Sequence, residues 1–537
     1  MRRILVSVLV SCLPLAPAIA GELPDADRLE ADGYVIGTVT LDKADVFDLS
    51  NPAEDKWLYR AANRLHIITR DKTIEKQLLF EPGEPFDKRV IEESERILRR
   101  NKYLFDAHIT PTRVADGKVD LVVATRDVWS LSPEISVSRS GGETRSRFGL
   151  EENNLFGRGQ QLRVLRDEDI DRDENILEFS DRHLGNSWVS LFASHADNSD
   201  GSTSALSVVR PFYALDARWA AGGSLHADDR RERIYQFGEE AAEYRHKRDF
   251  VWAFGGLSRG LVGNTARRWT AGVIYDENRF SAVPTSSLVP LVPADRKLVY
   301  PYLGFELVED GFVTTSNQEQ MERTEDFQMG LQVRASLGWA DTAFGSDRDA
   351  GIFAASASRG FGSLEQTALL VSARSNGRLE SGDLVNALLS FEARYYHRQS
   401  KKRTFYAAVQ GTWGEALDLD NLVELGGNTG MRGYPLRYQV GESRTVVTVE
   451  QRYYTDWYPW RLARVGGAIF ADVGRVWGPH PLGADHRGWI ADVGFGLRLA
   501  LTRVAAGRVV HIDVAFPLDD DPDIDDVQFL IESKRSF

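Results

Sequence analysis

The chain has 537 residues, enough for more than one domain, and its 42% hydrophobic and 27% charged residues are typical of a folded protein. Beyond the N-terminus there is no run of about 18 apolar residues, which argues against membrane-spanning helices but not against membrane-spanning strands. The formal charge of −14 argues against a nucleic-acid partner, because an acidic surface repels phosphates.

Residues 1–20 have the pattern of a secretory signal peptide. Two arginines precede the apolar stretch ILVSVLVSCLPLAPAIA, and residues 18–20 form an A-x-A cleavage site. Cleavage there removes Cys12, the only cysteine, so we expect neither disulfide nor thiolate chemistry in the mature chain. The alternative is a lipobox at residues 9–12, which would leave a very short apolar core. An acidic linker is expected at residues 21–33.

Residues 34–130 have the pattern of a small α+β domain. An alternating segment predicts a first strand, Pro52 suits the first turn of a helix over 52–65, and a second helix is expected from about residue 70. The third helix, FDKRVIEESERILRRN, is the clearest, with Asp87 as its N-cap and an apolar stripe on one face. Two strands separated by Asp116-Gly117 then predict a tight hairpin.

From Ser132 onward, helical periodicity disappears and two-residue alternation continues to the end of the chain. Such spacing indicates a β-barrel or a sandwich, and the segment is too long for a single sandwich. In GWIADVGFGLRLAL an apolar row alternates with a row that includes Asp492 and Arg498, which predicts one lipid-facing and one lumenal face. We therefore predict a mostly β protein in which residues 131–537 form a transmembrane antiparallel β-barrel.

Two further features are typical of outer-membrane barrels. The turn TDWYPWR groups Trp457, Tyr458 and Trp460, as expected at a membrane–water interface. The chain ends on Phe537, and a terminal aromatic in an alternating strand resembles the sorting signal of bacterial outer-membrane barrels. Arg535 departs from the apolar residue usual at its position in that signal.

The most informative stretch is a long, polar, glycine-rich segment at residues 422–454. It carries the sequence Met431-Arg432-Gly433-Tyr434 and leads into an alternating strand that includes Glu450. A second strand downstream, AIFADVGRVW (468–477), contains F-x-D-x-G, in which Asp472 and Gly474 share a face with Phe470.

These features together resemble the superfamily of outer-membrane insertases and two-partner-secretion transporters, also called the bacterial surface antigen family. It includes the BAM-complex insertase, the TAM translocation component and the haemolysin exporters. The α+β segment resembles a POTRA domain, the periplasmic polypeptide-transport module, and EENNLFGRGQQL (151–162) resembles the junction to the barrel. The resemblance covers residues 34–537 and is to a member with a single POTRA domain, where two or more are common.

The number of strands is open at this point. The resemblance implies sixteen, whereas the alternation gives about twenty, with five after the Arg432 segment and the surplus before it. Either some long strands are counted twice, or a hairpin lies outside the barrel wall.

The resemblance also implies that the loop folds into the lumen, with Arg432 at its tip and Asp472 as its acceptor on the wall. A guanidinium in a narrow lumen needs a carboxylate, and a bidentate pair fixes its orientation. Asp492 is a second acceptor, Gly433 permits a tight bend and Tyr434 packs on the wall. The alternative is an exposed arginine and a solvated acid. The candidate loop-lock residues are Arg432, Gly433, Tyr434, Glu450, Asp472, Gly474 and Asp492.

The implied function is to insert barrel proteins into the outer membrane of a Gram-negative bacterium or to translocate polypeptides across it, with the POTRA domain in the periplasm. The first and last strands would meet at a weak seam that templates an incoming strand, and the POTRA domain would pass on clients by strand addition. The implied partners are unfolded outer-membrane or secreted polypeptides, the lipid bilayer and lipopolysaccharide. Periplasmic or lipoprotein accessory subunits are an open alternative.

Rival functions have less support. The sequence contains no G-x-S-x-G elbow, H-E-x-x-H motif or Walker loop, so we expect no enzyme activity, no cofactor and no metal. A passive outer-membrane channel or receptor barrel is the main alternative, and a purely structural anchor is a third. The POTRA segment and the Arg432–Asp472 pair argue against a simple channel, which needs neither.

Overall fold

The computed structural model describes residues 23–534 except 285, 322, 505–508 and 520–523. The predicted signal peptide and the terminal Phe537 lie outside the described residues. Over these described ranges, no helix is long and apolar enough to cross a membrane.

The N-terminal domain is a three-stranded sheet packed against helices. Its sheet order is β1-β3-β2, with β1 parallel and β2 antiparallel to β3. Its core buries Leu29, Ile36, Ile74, Leu98 and Val123. The elements are α1 (Ala26–Ala31), β1 (Val35–Ala44), α2 (Trp57–Leu65), α3 (Asp71–Glu75), α4 (Lys88–Arg99), β2 (Leu104–Ala115) and β3 (Lys118–Asp127).

Local chemistry explains which predicted boundaries are correct in this domain. Asp87 caps α4 by accepting from the Val90 N–H at 3.1 Å, as predicted. The predicted tight hairpin is also present, with Asp116 and Gly117 at φ 52° and 70°. Pro52 is not in a helix, because the Asn51 side chain accepts from the Ala53 N–H and holds a turn there.

Two other expectations for this domain are corrected by the structure. The second helix is the single short turn α3, which ends at Glu75. The segment expected to be an acidic linker contains α1, whose N-cap Asp25 accepts from the Arg28 N–H at 2.8 Å. The helix forms because it buries Leu29 completely in the domain core.

The rest of the chain forms a closed antiparallel β-barrel with twenty strands in its wall. Two short hairpins, β14–β15 and β21–β22, lie outside the wall. In chain order the strands are β4 (Leu131–Ser140), β5 (Glu143–Glu152), β6 (Gln160–Glu168), β7 (Asp173–Asp181), β8 (Ser190–Asn198), β9 (Gly201–Arg210), β10 (Trp219–Gln236), β11 (Glu239–Val262), β12 (Thr265–Ser281), β13 (Arg296–Glu309), β14 (Phe312–Thr315), β15 (Glu325–Gln328), β16 (Gln332–Ala340), β17 (Ala350–Gly362), β18 (Thr367–Glu380), β19 (Asp383–Ser400), β20 (Arg403–Glu415), β21 (Val423–Leu425), β22 (Gln439–Gly441), β23 (Ser443–Tyr454), β24 (Ala463–Trp477), β25 (Ile490–Leu501), β26 (Val509–Pro517) and β27 (Gln528–Lys534).

The count of about twenty strands from the alternation is confirmed, and the count of sixteen from the family resemblance is wrong. Every alternating segment pairs with a neighbour on each side, so none of the surplus strands was an artefact of splitting. Five wall strands follow the Arg432 segment, as predicted.

The burial pattern of the wall follows the predicted alternation. On β25, Val493 and Phe495 are 40% and 55% exposed on the outer face, whereas Asp492 and Arg498 are buried on the lumenal face. At the aromatic turn, Trp457 and Trp460 are exposed. Tyr458 does not share this exposed position with the two tryptophans. Its hydroxyl bonds to the Thr502 hydroxyl at 2.7 Å, which gives the polar end of the ring a partner.

Candidate functional site

The Arg432 loop, defined here as residues 426–438, enters the barrel from the end opposite the N-terminal domain. β21 and β22 pair at its neck. Within it, the Met431 N–H donates to the Gly426 carbonyl at 3.1 Å and the Tyr434 N–H donates to the Met431 carbonyl at 3.1 Å. Gly430 has φ 110°, a left-handed conformation that favours glycine. The loop's own backbone therefore positions Arg432 at its tip.

The structure brings Arg432 and Asp472 together inside the barrel. The guanidinium Nε and Nη2 donate to the two Asp472 oxygens at 2.7 and 3.0 Å, and Nη1 donates to Glu450 Oε1 at 2.9 Å. Asp513 lies 3.8 Å from Nη1. Arg432 is 6% exposed and Asp472 is fully buried. This is the bidentate, charge-assisted geometry that fixes orientation as well as energy.

All three signature positions of F-x-D-x-G contact the Met431-Arg432 dipeptide. The Phe470 ring centroid lies 3.4 Å from the Arg432 Cζ, in a cation–π contact. A Cβ on Gly474 would lie 2.7 Å from the Met431 sulfur, so this glycine makes room for the methionine. The motif recognises the loop because alternate residues of β24 project into the same lumenal face.

Gly433 and Asp492 differ in detail from the expectation. Asp492 accepts from the Gly433 N–H at 3.0 Å rather than from the guanidinium. The φ of Gly433 lies outside the left-handed region, and a Cβ there would lie 2.7 Å from the Asp492 Cβ. Gly433 thus permits close approach to the wall rather than a special bend.

Tyr434 is fully buried on the wall, packed beside Tyr438. Its hydroxyl accepts from the Ala491 N–H at 3.0 Å and also contacts Asp519. A buried hydroxyl needs such partners, so the ring and its polar tip are both accommodated.

A wider charge network surrounds Arg432, and of the members named here the sequence analysis had assigned only Glu450 to the site. Glu450 also accepts from Arg452 at 2.8 Å, and Asp513 pairs with Arg498. The lumenal row of alternating residues on each strand is the sequence signal that would have placed these side chains together. The described residues contain no group of three or more His, Cys, Asp or Glu suited to a metal ion.

The far end of the Arg432 loop contacts different strands. The Leu436 N–H donates to the Gly141 carbonyl in the β4–β5 turn at 3.4 Å. Arg437 donates to both Asp171 oxygens in the β6–β7 loop at 2.7 and 2.6 Å and lies over Tyr235. The loop is therefore fixed to β24 and β25 at one end and to the turns of the first strands at the other.

Those two sets of strands stand on either side of the β27–β4 junction, which we call the seam. In the described part of the chain, β27 and β4 pair only at Ile531–Arg139. By contrast, β26 and β27 pair continuously from Val509–Lys534 to Ala515–Gln528. Over the described residues the seam is therefore the shortest ladder of the wall, and the Arg432 loop spans it.

A second segment enters the lumen from the side of the N-terminal domain. We call residues 310–331 the lumenal hairpin; it contains β14 and β15, and residue 322 is not described. Its Glu319 contacts Arg394 and accepts from the Tyr396 hydroxyl at 2.8 Å. Tyr454 donates to the Gln318 carbonyl at 3.2 Å, so the hairpin tip lies against the lumenal wall.

The N-terminal domain holds the base of this hairpin and closes the same end of the barrel. Arg99 donates to both Asp326 oxygens at 2.9 and 2.7 Å, and Arg323 donates to the Leu104 carbonyl at 3.1 Å. Elsewhere on the rim, Arg503 of the β25–β26 turn pairs with Glu54 at 2.5 Å. Domain, hairpin and barrel rim therefore form one connected assembly.

Two family models match the chain. The Omp85 superfamily domain model matches residues 154–532, and a POTRA model, described as a surface antigen variable number repeat, matches residues 66–126. No curated protein matches the chain.

Several solved structures are similar over most of the chain. The structure of BamA from Haemophilus ducreyi lacking POTRA domains 1–3 has 12% identity and a TM-score of 0.41, and covers 93% of this chain and 84% of that one. CdiB from Acinetobacter baumannii has 11% identity and a TM-score of 0.46, covering 93% and 74%. CdiB from Escherichia coli has 10% identity and a TM-score of 0.38, covering 97% and 92%.

Proposed function

Because this chain belongs to the Omp85 superfamily, we propose that it accepts client polypeptides at the β27–β4 seam of an outer-membrane barrel. Family membership supports barrel insertion or polypeptide translocation in general, at the outer membrane of a Gram-negative bacterium. The finer proposal is that the seam opens, the POTRA domain delivers the client and the Arg432 loop controls the opening.

The observation that carries this proposal is the pairing at the seam. One described bridge, Ile531–Arg139, joins β27 to β4. Opening the seam breaks few backbone hydrogen bonds. The freed strand edges then template an incoming strand. Folding of the client into the membrane supplies the free energy, so no nucleotide site is needed.

The Arg432 loop supports the proposal because of where its two ends bind. Arg432 is fixed to β24 through Asp472, and Arg437 is fixed to the β6–β7 loop through Asp171. The Asp171 side chain is 26% exposed, whereas Asp472 is fully buried. We infer that the Arg437 end releases first, because a partly exposed pair is held more weakly than a buried one.

The closed ends of the lumen favour the seam over a route through the barrel. A client crossing the lumen must displace both the Arg432 loop and the lumenal hairpin with Glu319. It must also separate the hairpin from the N-terminal domain at the Arg99–Asp326 pair. A client received at the seam bypasses the hairpin and requires only that the Arg437 end of the Arg432 loop releases Asp171.

The N-terminal sheet offers an edge for the delivery step. Among the described residues, β2 pairs with β3 on one side and with no strand on the other. Glu95 and Arg99 of α4 bond to the Ile109 N–H and the Ala107 carbonyl on that side. The part of the edge beyond Ile109 can accept an extended peptide as an added strand, with backbone hydrogen bonds supplying affinity. We propose β2 as the first contact of the unfolded client.

A disulfide across the seam tests the proposal. Arg139 and Ile531 are directly paired and both lie on the exposed face, so cysteines at these positions meet the distance for a disulfide. In a Cys12→Ser background, Arg139→Cys with Ile531→Cys should abolish client insertion when oxidised and restore it on reduction. The measurement is the amount of folded barrel protein inserted into the outer membrane.

The matched control places cysteines at Leu499 and Val510, which pair across the continuous β25–β26 ladder. Oxidation of this pair should leave insertion unchanged. If the oxidised seam pair also leaves insertion unchanged, the seam is not the client route. A steady ion current with no client dependence would then favour the passive channel.

A further inference from the structure

Helix α2 of the N-terminal domain buries one face and leaves an apolar face exposed. On the buried side, Tyr59 stacks on Phe47 with ring centroids 4.3 Å apart, and Asn63 donates to the Phe47 carbonyl at 2.8 Å. Trp57, Leu58 and Leu65 are 79%, 53% and 74% exposed. At 100° per residue these three side chains fall on one side of the helix.

This face is unusual for a helix of a water-soluble domain. The core-facing stripe of an amphipathic helix is normally apolar and its outer face polar. In α2 the outer face carries a tryptophan and two leucines, and the domain core has no place for them. A contiguous exposed apolar face of this kind marks a surface that contacts a partner or a membrane.

The structure fixes this helix against the membrane-facing rim of the barrel. The Tyr59 hydroxyl donates to the Trp460 carbonyl at 2.5 Å. Trp460 and Trp457 belong to the β23–β24 turn and are 77% and 65% exposed. The segment before α2 is anchored as well, because Arg503 donates to the Val46 carbonyl at 2.8 Å.

The apolar face also points away from the barrel mouth. Tyr59 packs into a cluster with Val46 and Phe47, beside a polar cavity at the mouth of about 410 Å³ that is lined by Glu54 and Tyr458. Trp57 and Leu65 lie on the other side of the helix from Tyr59. They therefore do not line the cavity and lie exposed on a helix that is bonded to the tryptophan turn.

We propose that the apolar face of α2, together with Trp457 and Trp460, lies in the headgroup region of the periplasmic leaflet and binds phospholipid. Tryptophans concentrate at the membrane–water interface, and the β23–β24 turn places two there. Exposed Arg64 borders the apolar face, so it can reach a lipid phosphate while Trp57 enters the acyl boundary.

Continuity with the lipid-facing wall favours lipid over a protein partner. Trp57 and Trp460 lie on two elements joined by a direct hydrogen bond, so a membrane that surrounds one also reaches the other. Contact with the leaflet would hold the POTRA domain at a fixed height beneath β23–β26. The domain would then stay docked on the rim while a client is bound at its free edge.

Fluorescence quenching in vesicles tests this proposal. The full chain with Leu65→Cys in a Cys12→Ser background is labelled with an environment-sensitive fluorophore and reconstituted into phosphatidylethanolamine–phosphatidylglycerol vesicles. Nitroxide-bearing lipid should cause a loss of fluorescence, and aqueous iodide should not. The control is Lys118→Cys, which is exposed at the start of β3, about 30 Å along that strand from the barrel. It should show the reverse pattern.

A second variant separates folding from lipid contact. Trp57→Glu in the labelled protein should reduce quenching by nitroxide lipid, while the gel mobility of the folded barrel stays unchanged, because Trp57 makes no core contact. Quenching of the Leu65 label by iodide alone would overturn the proposal in favour of a solvated face. Protection from both quenchers would also overturn it, because a second copy of the chain would then cover the helix.

Discussion

The Arg432 loop and the lumenal hairpin close the same lumen from opposite ends, with charges of opposite sign. The loop brings a cation, Arg432, to carboxylates on the wall, whereas the hairpin brings an anion, Glu319, to an arginine on the wall. Each also packs a methionine over a wall glycine, Met431 on Gly474 and Met329 on Gly360. The same packing of a methionine on a wall glycine thus occurs in both closures.

The two closures differ in how deeply they are buried. Arg432 is 6% exposed and Asp472 is fully buried, whereas the Arg394 and Glu319 side chains are 30% and 22% exposed. A buried pair that loses one partner leaves an unpaired charge, while a partly exposed pair loses little. The closure by the Arg432 loop is therefore held by the barrel itself. The closure by the hairpin also depends on the N-terminal domain, which binds Asp326.

The largest expected effect follows from removing the buried cation. Arg432→Met keeps the size of the side chain but leaves Asp472, Glu450 and Asp513 close together without it, so we expect a loss of about 3–5 kcal/mol of stability. The measurement is urea unfolding of the reconstituted barrel, followed by gel mobility. Protease sensitivity of the loop should rise in parallel.

Two comparisons make that result interpretable. Arg437→Met, in the same loop but at a partly exposed pair with Asp171, should cost much less. Arg432→Asp combined with Asp472→Arg should recover part of the loss seen in each single variant. Equal effects of Arg432→Met and Arg437→Met would remove the distinction between a buried and an exposed anchor.

The hairpin should respond to pH through the buried carboxyl group of Glu325. Burial raises the pKa of Glu325 from 4.5 to about 7, although three backbone N–H groups, those of residues 318–320, donate to this carboxyl. Between these values the folded hairpin keeps a proton that the unfolded chain releases. Hairpin stability therefore falls by about 1.4 kcal/mol per pH unit as pH rises from about 4.5 to 7, and is level above that.

Hydrogen exchange of the hairpin at pH 5 and pH 8, corrected for intrinsic rates, measures this difference. The hairpin should be better protected at pH 5. Glu319, Arg323 and Tyr454 also face Glu325, so Glu325→Gln is the control that isolates its contribution. Unchanged pH dependence in Glu325→Gln would assign the effect to those neighbours instead.

The sequence predicted the loop well because its signal is local and periodic. Alternation placed Asp472 and Glu450 on the lumenal face, and the motif resemblance placed Arg432 opposite them. The partner of Asp492 was assigned incorrectly, because the loop's own fold decides whether a carboxylate meets a guanidinium or the Gly433 N–H. The alternation also gave a better strand count than the resemblance, since it is read directly from each strand.

The hairpin could not be placed in this way. Residues 310–331 have the composition of an ordinary polar connection. The sequence left open that a hairpin lies outside the wall, but it did not indicate which residues form it. Its contacts join Asp326 to Arg99 and Glu319 to Arg394, far apart in the sequence. The docking of the N-terminal domain through Glu54 and Arg503 is equally long-range, and no periodicity encodes it.

Glycine substitutions compare the packing of the two closures. A Cβ at position 474 would lie 2.7 Å from the Met431 sulfur, so Gly474→Ala should cost about 1–3 kcal/mol as the methionine shifts. Gly360→Ala should disturb Met329 in the same way, at 2.5 Å. Gly351→Ala, on the same strand as Gly360, has its nearest contact at 3.7 Å and serves as the control. Unfolding midpoints should fall for the first two variants and stay near wild type for the third.

The smallest effect should come from the hairpin's own ion pair. Glu319→Gln keeps the hydrogen bond from Tyr396 and removes only a partly exposed charge, so stability should fall by about 0.2–1 kcal/mol. Single-channel recording should nevertheless show more frequent brief openings than in wild type, since Arg394 no longer holds the hairpin tip electrostatically. Arg432→Met should instead give long-lived openings, because it releases the deeper closure. If Glu319→Gln destabilised the barrel as much as Arg432→Met, the hairpin would be as integral to the wall as the loop, and burial would not set the strength of the two closures.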